Sequence, residues 1–254
     1  MRLPTQFVRL PLRFDAQRLA EEVALFDDAA WRPHPQGEPG NTALQLVSRN
    51  GDPNDDGTAG AMRPTPHLAR TPYLRQVLGA LETVVGRTRL MRIDGGADLD
   101  LHADTNHYWW EHLRVHVPVT TRPDVVFHCG GEKVHMGPGE AWVFDTWRAH
   151  GVDNPADAAR VHLVVDTVGS PALWRMIEGG ERPHDPAWQQ ETAPPTQRLV
   201  AFDAAVDPPL EFERVNRSPV MSPWEQQANA AALMAEVRSV EANDAATTEA
   251  VAAL

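Results

Sequence analysis

The strongest constraint on this chain is a rhythm between Arg87 and Thr167: short strand-like runs, each closed by a turn signal. Thr88, Leu90 and Arg92 alternate with Arg89, Met91 and Ile93, and further runs cover 113–119, 125–128, 133–136, 141–145 and 160–167. Asp94-Gly95-Gly96, Arg122-Pro123-Asp124, Gly130-Gly131, Gly137-Pro138-Gly139 and Asn154-Pro155 separate them. Short, regularly spaced strands with such punctuation indicate an all-β sandwich or barrel. Ahead of them, two segments carry helical spacing. Residues 15–30 start at a capping Asp15 and place Leu19, Val23 and Phe26 on one side, with Leu25 off that stripe. Residues 71–85 have Pro72 in the first turn and Leu74, Val77, Leu78, Leu81 and Val85 as their apolar face. Helices grouped before strands predict a mainly β jelly roll with a helical support layer.

The remaining stretches set the domain plan. Residues 49–60, rich in Gly, Asn, Asp and Pro, read as a loop. Residues 181–209 carry many prolines and read as extended linker, a small mixed segment follows around 215–225, and 223–240 reads as a helix ahead of an Ala-rich, frayed end from Glu241. The expected organisation is one domain over 1–180, with its jelly-roll core at about 87–168, followed by a Pro-rich linker and C-terminal helical tail over 181–254. An apolar content of 42% against 23% charged residues supports a packed core. A net charge of -12 argues against nucleic acid or an anionic membrane surface as partner. One cysteine, Cys129, cannot form an internal disulfide, the first residues lack a signal-peptide-like apolar run, and no stretch nears the roughly 20 apolar residues of a membrane span. A cytoplasmic protein is the expectation.

Two segments carry candidate chemistry. Leu101-His102-Ala103-Asp104 offers an imidazole and a carboxylate at i and i+2, which point the same way in extended chain. Phe144-Asp145-Thr146-Trp147-Arg148-Ala149-His150 offers a second imidazole after an aromatic strand. Two His and one carboxylate leave half of a metal's coordination sphere open, which suits non-haem Fe(II) and oxygen chemistry. Arg160, ten residues beyond His150 in a strand-like run, could hold a carboxylate bidentately. Together these residues point to an oxygenase with a carboxylic co-substrate. The bland reading of His102-Ala103-Asp104 alone is a solvated loop with an incidental ion pair. A rival ligand pair, His128 and His135, lacks a carboxylate at comparable spacing, Glu132 being nearest. Trp109, Trp110, Trp142 and Trp147 offer either shielding of a site or ordinary packing, and His162 reads as structural.

The same residues sit in a longer ordered pattern. It runs through Arg92-Ile93-Asp94, Leu101-His102-Ala103-Asp104, Arg114-Val115-His116-Val117-Pro118 and Val126-Phe127-His128-Cys129-Gly130-Gly131-Glu132. It continues over residues 136–150 and Val152-Asp153-Asn154 to Arg160-Val161-His162-Leu163-Val164-Val165-Asp166. This pattern, spanning about 87–168, resembles the aspartyl/asparaginyl β-hydroxylase family, including the free-proline cis-4-hydroxylases that share its domain. The resemblance implies a double-stranded β-helix of cupin-like type. It also implies Fe(II), 2-oxoglutarate as co-substrate, O2, and hydroxylation of an unactivated C–H bond with release of succinate and CO2. It carries the iron-ligand role to His102, Asp104 and His150, and the salt bridge to the distal 2-oxoglutarate carboxylate to Arg160. Arg114 and His116 match family positions near a co-substrate or substrate carboxylate. Asp104 sides with members that keep the full triad and argues against halogenation, which needs that coordination position vacated. The implied substrate is an amino acid or a peptidyl residue of Asp/Asn or Pro type, and Arg89, Arg92 and Arg148 are each candidates to meet its carboxylate or to be structural. Two other readings remain at this stage: a cupin-like metal enzyme that does not use 2-oxoglutarate, and a non-catalytic sensor that binds metal or 2-oxoglutarate.

Overall fold

The computed structural model describes residues 1–34, 39–104, 106, 108–155, 157–191, 194–215 and 223–239. Along the chain lie β1 (Phe7–Phe14), α1 (Ala16–Val23), β2 (Arg32–Pro33), β3 (Asn41–Arg49), β4 (Met62–Pro64), α2 (Pro66–Ala69), α3 (Pro72–Ala80), β5 (Val84–Ile93), β6 (Leu99–His102) and α4 (Tyr108–Glu111). They are followed by β7 (Leu113–Thr120), β8 (Val126–Cys129), β9 (Glu132–Val134), β10 (Glu140–Phe144), β11 (His150–Asp153), β12 (Arg160–Thr167), α5 (Pro171–Glu178), α6 (Pro186–Glu191), β13 (Arg198–Val200), β14 (Glu211–Phe212) and α7 (Pro223–Ser239). Among the described residues they form two sheets. The larger runs β13-β1-β10-β7-β12-β5-β3-β2, with β14 on β5 and β4 on β3; the smaller runs β6-β11-β8-β9. This is the mainly β jelly roll expected from the strand rhythm.

Period-two alternation sorts the side chains of the large sheet. On β12, Val161, Leu163 and Val165 enter a core shared with Leu19 of α1, Leu74 and Val77 of α3, and Leu173 of α5. On β7 and β10 the same core takes Val115, Val117, Ala141 and Val143. The opposite face looks toward the small sheet, where Trp142 and Phe144 of β10 meet Phe127 and Cys129 of β8 and Val152 of β11. The intervening residues of β5, β7 and β12 (Arg87 and Arg89, Arg114 and His116, Arg160 and Asp166) share that second face and are buried or nearly so. The large sheet is therefore covered on both sides, by helices on one and by the small sheet on the other.

Several expected elements are shorter or differently placed. The helix expected over 15–30 has its N-cap at Asp15, whose side chain accepts from the Arg18 N–H, but ends at Val23. Asp27 and Asp28 favour turn over helix interior, the chain passes through a 3-10 turn at Asp28–Ala30, and Leu25 stays exposed. The helix expected over 71–85 stops at Ala80, because Glu82 turns left-handed (φ 50°) and the β-branched Thr83-Val84-Val85 run leads into β5. Helices do not precede the strands either: β1 and β3 come before or between them and belong to the large sheet. In β1 Val8, Leu10, Leu12 and Phe14 alternate into the core without a break, while Pro11, which lacks the donor a ladder needs, lies on the other side, where the register with β10 shifts between Arg9 and Arg13.

The Pro-rich segment read as extended linker carries α6 and pairs with the sheet. β13 lies parallel to β1, and β14, just beyond it, lies parallel to β5. The Tyr73 hydroxyl donates to the Val200 carbonyl at 2.5 Å, Gln76 donates to Asp203 and Val206 carbonyls, and Phe202 packs edge-on against Tyr73. Proline denies continuous helix or central strand, yet permits short edge pairing of this kind. The expected helix over 223–240 is α7, ending at Ser239. The readings for residues 216–222 of the mixed segment and for the Ala-rich end fall outside the described residues.

Leu163 is fully buried in a central strand. Leu163→Ala should lower stability by ~2–5 kcal/mol through lost transfer energy and the cavity left behind. Urea unfolding measures it, and a loss under 1 kcal/mol would contradict this placement.

Candidate metal and co-substrate site

Pairing of two short strands builds the first half of the site. β6 and β11 run antiparallel with His102 directly opposite His150, and their rings lie 4.3 Å apart between centroids. The register then shifts between His150 and Val152. Gly151 sits at that irregularity, and a Cβ there would come within 2.6 Å of the Leu99 carbonyl oxygen, so the close strand approach needs glycine. Asp104 follows β6, with its N–H donating to the Thr146 carbonyl at 3.0 Å. One donor atom from each of His102, Asp104 and His150 lies within 4.8 Å of the other two.

The partners of these side chains prepare them for a cation. The Nδ1 of His102 faces the Asp100 carbonyl at 2.8 Å, and the Nδ1 of His150 faces the Arg148 carbonyl at 2.9 Å. A carbonyl only accepts, so each Nδ1 carries the proton and each Nε2 keeps its lone pair for a metal. Burial, and then the neighbouring His102, push His150 down to about 3, against the pull of Asp104, so this imidazole is neutral. Asp104 Oδ2 is buried without a hydrogen bond; the Arg114 guanidinium lies 3.2 Å away as an ion pair but off hydrogen-bond geometry. Two imidazoles that turn Nε2 toward one point and a carboxylate oxygen with spare lone pairs fit a divalent first-row metal, Fe(II) among them. His128, paired with Asp153, and His135, facing the Val125 carbonyl, stand outside this group.

Behind Asp104 lies a network of buried charge. Asp166 of β12 is 1% exposed and takes Arg114 Nε at 3.1 Å on one oxygen and Arg87 Nη2 at 3.0 Å on the other. Burial opposes its ionisation, yet Arg114, Arg87 and Arg89 outweigh burial and hold it below the usual carboxylate range. Arg114 also stacks on Trp109 at 4.1 Å. Arg114, expected near a co-substrate or substrate carboxylate, lines the cavity and has two carboxylates of the protein itself, Asp104 and Asp166, as ion-pair partners, which places it to orient Asp104. Trp109 lies with Tyr108 and Trp147 in a small buried cluster, whereas Trp142 packs between the sheets and Trp110 is half exposed.

A cavity of about 590 Å3 connects the two groups, with His102, Asp104 and His150 in its wall and Arg160, His116 and Phe127 also lining it. Arg160 is 3% exposed. Its Nη2 donates to His162 Nδ1 at 2.8 Å, its carbon lies 5.9 Å over the Phe127 ring, and its Nε has no hydrogen-bond partner. No described carboxylate pairs with it, and burial alone lowers it to about 9, which leaves it charged at neutral pH. His116, facing Phe127 and Phe144, and His162 are both held far below the ordinary imidazole value by burial and then by Arg160. Of the other candidate arginines, Arg89 lines the cavity, whereas Arg92 stacks on Trp31 and pairs with Asp28, and Arg148 meets Asp145. Asp166, Arg87 and Asp56 escaped the sequence reading. A charged residue inside the apolar run Val164-Val165-Asp166-Thr167 was a signal for the first; Asp56 sits in a polar loop with none.

A jelly roll closing over two imidazoles and a carboxylate is an architecture that can hold a metal ion with part of its coordination sphere open. The chain belongs to the aspartyl/asparaginyl β-hydroxylase family, whose family model matches residues 42–169, just over half of it. That membership makes it a 2-oxoglutarate-dependent oxygenase of hydroxylase type. The chain is also similar to several solved structures. An oxidoreductase of the 2OG-Fe(II) oxygenase family from Burkholderia pseudomallei is 19% identical, over 64% of this chain and 84% of that one, at a TM-score of 0.43. A prolyl hydroxylase from Trichoplax adhaerens, in complex with a peptide fragment of hypoxia inducible factor, is 10% identical over 68% and 87%, at 0.46. HygX from Streptomyces hygroscopicus, with nickel and 2-oxoglutarate bound, is 13% identical over 64% and 82%, at 0.42. Among the described residues no helix is long and apolar enough to cross a membrane.

The buried neutral histidines give a pH dependence with a definite sign. Unfolded imidazoles take up protons below about 6.5, whereas His116, His150 and His162 in the folded, metal-free chain resist protonation. The unfolded state then binds more protons, so stability falls as pH drops below 6.5, by up to about 1.4 kcal/mol per pH unit for each group. Urea unfolding of the metal-free protein should therefore show lower stability at pH 5.5 than at pH 7.5, with a shallower decline in His162→Gln. Equal declines in the two proteins would refute it.

Proposed function

We propose that this protein hydroxylates an unactivated C–H bond of an amino acid or a peptidyl residue, converting 2-oxoglutarate to succinate and CO2. In this reading His102, Asp104 and His150 hold Fe(II), and Arg160 holds the distal carboxylate of 2-oxoglutarate. The observation that carries the reading is Arg160: a buried guanidinium, lining the same cavity as the His-Asp-His group, with no carboxylate of the described chain to neutralise it. An unpaired buried cation is costly, and a dicarboxylic ligand reaching from the metal position would remove that cost with a charge-assisted pair.

Iron held there supplies the oxidising chemistry that inserts one oxygen atom of O2 into the C–H bond. The chain's own contribution is positioning and exclusion of water. The Asp100 and Arg148 carbonyls fix both imidazoles in the tautomer with Nε2 free. Arg114, braced by Asp166, holds Asp104 toward the two histidines. Trp109 covers the Arg114 guanidinium, and Phe127 and Phe144 give the cavity an apolar wall beside Arg160. His162 accepts one N–H of Arg160, which aims the guanidinium while leaving other donors for a ligand.

Arg160→Ala should weaken 2-oxoglutarate binding to the Mn(II)-loaded protein at least tenfold by calorimetry and abolish normal succinate release with Fe(II). Unchanged binding or turnover would reject the co-substrate assignment. His102→Ala or His150→Ala should abolish iron-dependent succinate release, and full activity in either purified variant would reject the ligand assignment.

A further inference from the structure

Asp145 is as buried as Asp166, at 1% exposed, and neither the metal nor the co-substrate assignment uses it. It follows the last residue of β10, and its N–H donates to the Gln6 carbonyl at 3.1 Å, which continues the pairing of Phe144 with Phe7. Its carboxylate is surrounded by donors. Oδ1 accepts the Trp147 N–H at 3.1 Å, Oδ2 accepts Arg148 Nε at 3.3 Å, and the Leu3 N–H donates to the same carboxylate. Burial raises Asp145 above the usual carboxylate value, against the pull of the Trp147 N–H, Arg2 and Arg148. A carboxylate in such a position is expensive to bury and is held there by these bonds.

The turn that this carboxylate folds carries two backbone acceptors of the metal group. The Thr146 carbonyl takes the Asp104 N–H at 3.0 Å, and the Arg148 carbonyl takes the proton of His150 Nδ1 at 2.9 Å. The Arg148 N–H closes the turn on the Asp145 carbonyl at 3.1 Å, and the Ala149 carbonyl accepts the Gly130 N–H at 2.9 Å. Trp147 Nε1 donates to the Trp109 carbonyl at 3.1 Å, which docks the turn on the cavity wall. One short segment thus sets the backbone at Asp104 and the ring orientation of His150. Metal ligands keep a productive geometry only within about 0.5 Å, so the partners that aim them matter nearly as much as the ligands.

We propose that Asp145 is a positioning residue of the metal group: its carboxylate, bonded to Leu3 ahead of β1, fixes the 145–149 turn that aims Asp104 and His150. The proposal rests on the reading of His102, Asp104 and His150 as metal ligands. It also draws Leu3 and Gln6, which lie ahead of the matched residues 42–169, into the support of the site. An amide in place of the carboxylate keeps the volume but not the bonding. Three N–H donors converge on two acceptor oxygens, whereas Asn offers one oxygen and turns an NH2 toward a donor. The turn then loses a bond at Leu3, Trp147 or Arg148.

Calorimetry with Mn(II) on the full metal-free chain tests it, together with the d–d absorption of the Co(II)-loaded protein. Asp145→Asn should weaken Mn(II) tenfold or more and shift the Co(II) bands. Glu22→Gln is the reference for a merely structural carboxylate. Glu22 is also buried, accepts the Tyr73 and Leu74 N–H groups in the helical layer, and its variant should keep both readouts at the parental values. A smaller loss in Asp145→Asn, or an equal loss in Glu22→Gln, would overturn the proposal. Should Asp145→Asn fail to fold, hydrogen exchange on the unaltered metal-free chain decides. The Leu3 and Trp147 N–H groups should then be protected, and exchange at the rate of unstructured chain would overturn it. A parent protein that binds no Mn(II) would count instead against the metal-ligand reading.

Discussion

The site depends on one buried carboxylate. Asp166 lies on β12 between Arg87 of β5 and Arg114 of β7, with each oxygen given to a different guanidinium. Three neighbouring strands of the large sheet are thereby joined by charge on the face where their ladder also runs. An isolated buried arginine is expensive, and so is an isolated buried aspartate; in this geometry each offsets the other's desolvation. Because Arg114 then reaches Asp104, the same carboxylate that ties the sheet together also sets the acidic member of the metal group.

Arg160 follows the opposite logic. It shares the face and burial of Asp166 on the same strand, yet its protein partners are a neutral histidine and a phenyl ring. One cation is neutralised by the fold, and the other has no described carboxylate beside it. Strain of this kind is expected at functional sites, where a structure forgoes local stability for a preformed charge. The flanking histidines serve that arrangement: His162 meets Arg160 through Nδ1 and, like His116, is kept neutral, so that neither adds positive charge to an uncompensated guanidinium.

The two sheets divide the labour. Cross-strand pairing in the small sheet sets His102 against His150, and the bulge at Gly151 brings the strands close enough for both rings to face one point. The large sheet supplies Arg114, Arg160 and the charge network, and its far face is stabilised by helices α1, α3 and α5. The segments around β13 and β14 add short parallel pairings at β1 and β5, and Glu213 next to β14 pairs with His112 beside helix α4. Parts of the chain far apart in sequence thus brace the wall that carries Tyr108 and Trp109.

The sequence by itself determined the class of fold and the shared face of His102 and Asp104, because both rest on local periodicity, whereas the pairing of β6 with β11 brings His150 beside them. Alternation over two residues and Gly- or Pro-bearing turns mark strands, and the i, i+2 placement of His102 and Asp104 follows from extended geometry alone. Arg160 was legible as a charge in an apolar run. Of the early strands, β1 alternates cleanly over Val8, Leu10, Leu12 and Phe14 but holds Pro11, which argues against a paired strand, and burial on both faces blurs the pattern of β3; the helices were overrun because apolar spacing continues past their ends. Only the tertiary structure decided which arginine is free. Arg89, Arg92, Arg114, Arg148 and Arg160 are chemically alike in the sequence, and what separates them is whether folding brings a carboxylate or a ring within reach. Arg148 meets Asp145 only three residues away, but Asp56 of Arg89, Asp28 of Arg92 and Asp166 of Arg114 lie tens of residues away, where no local pattern records them.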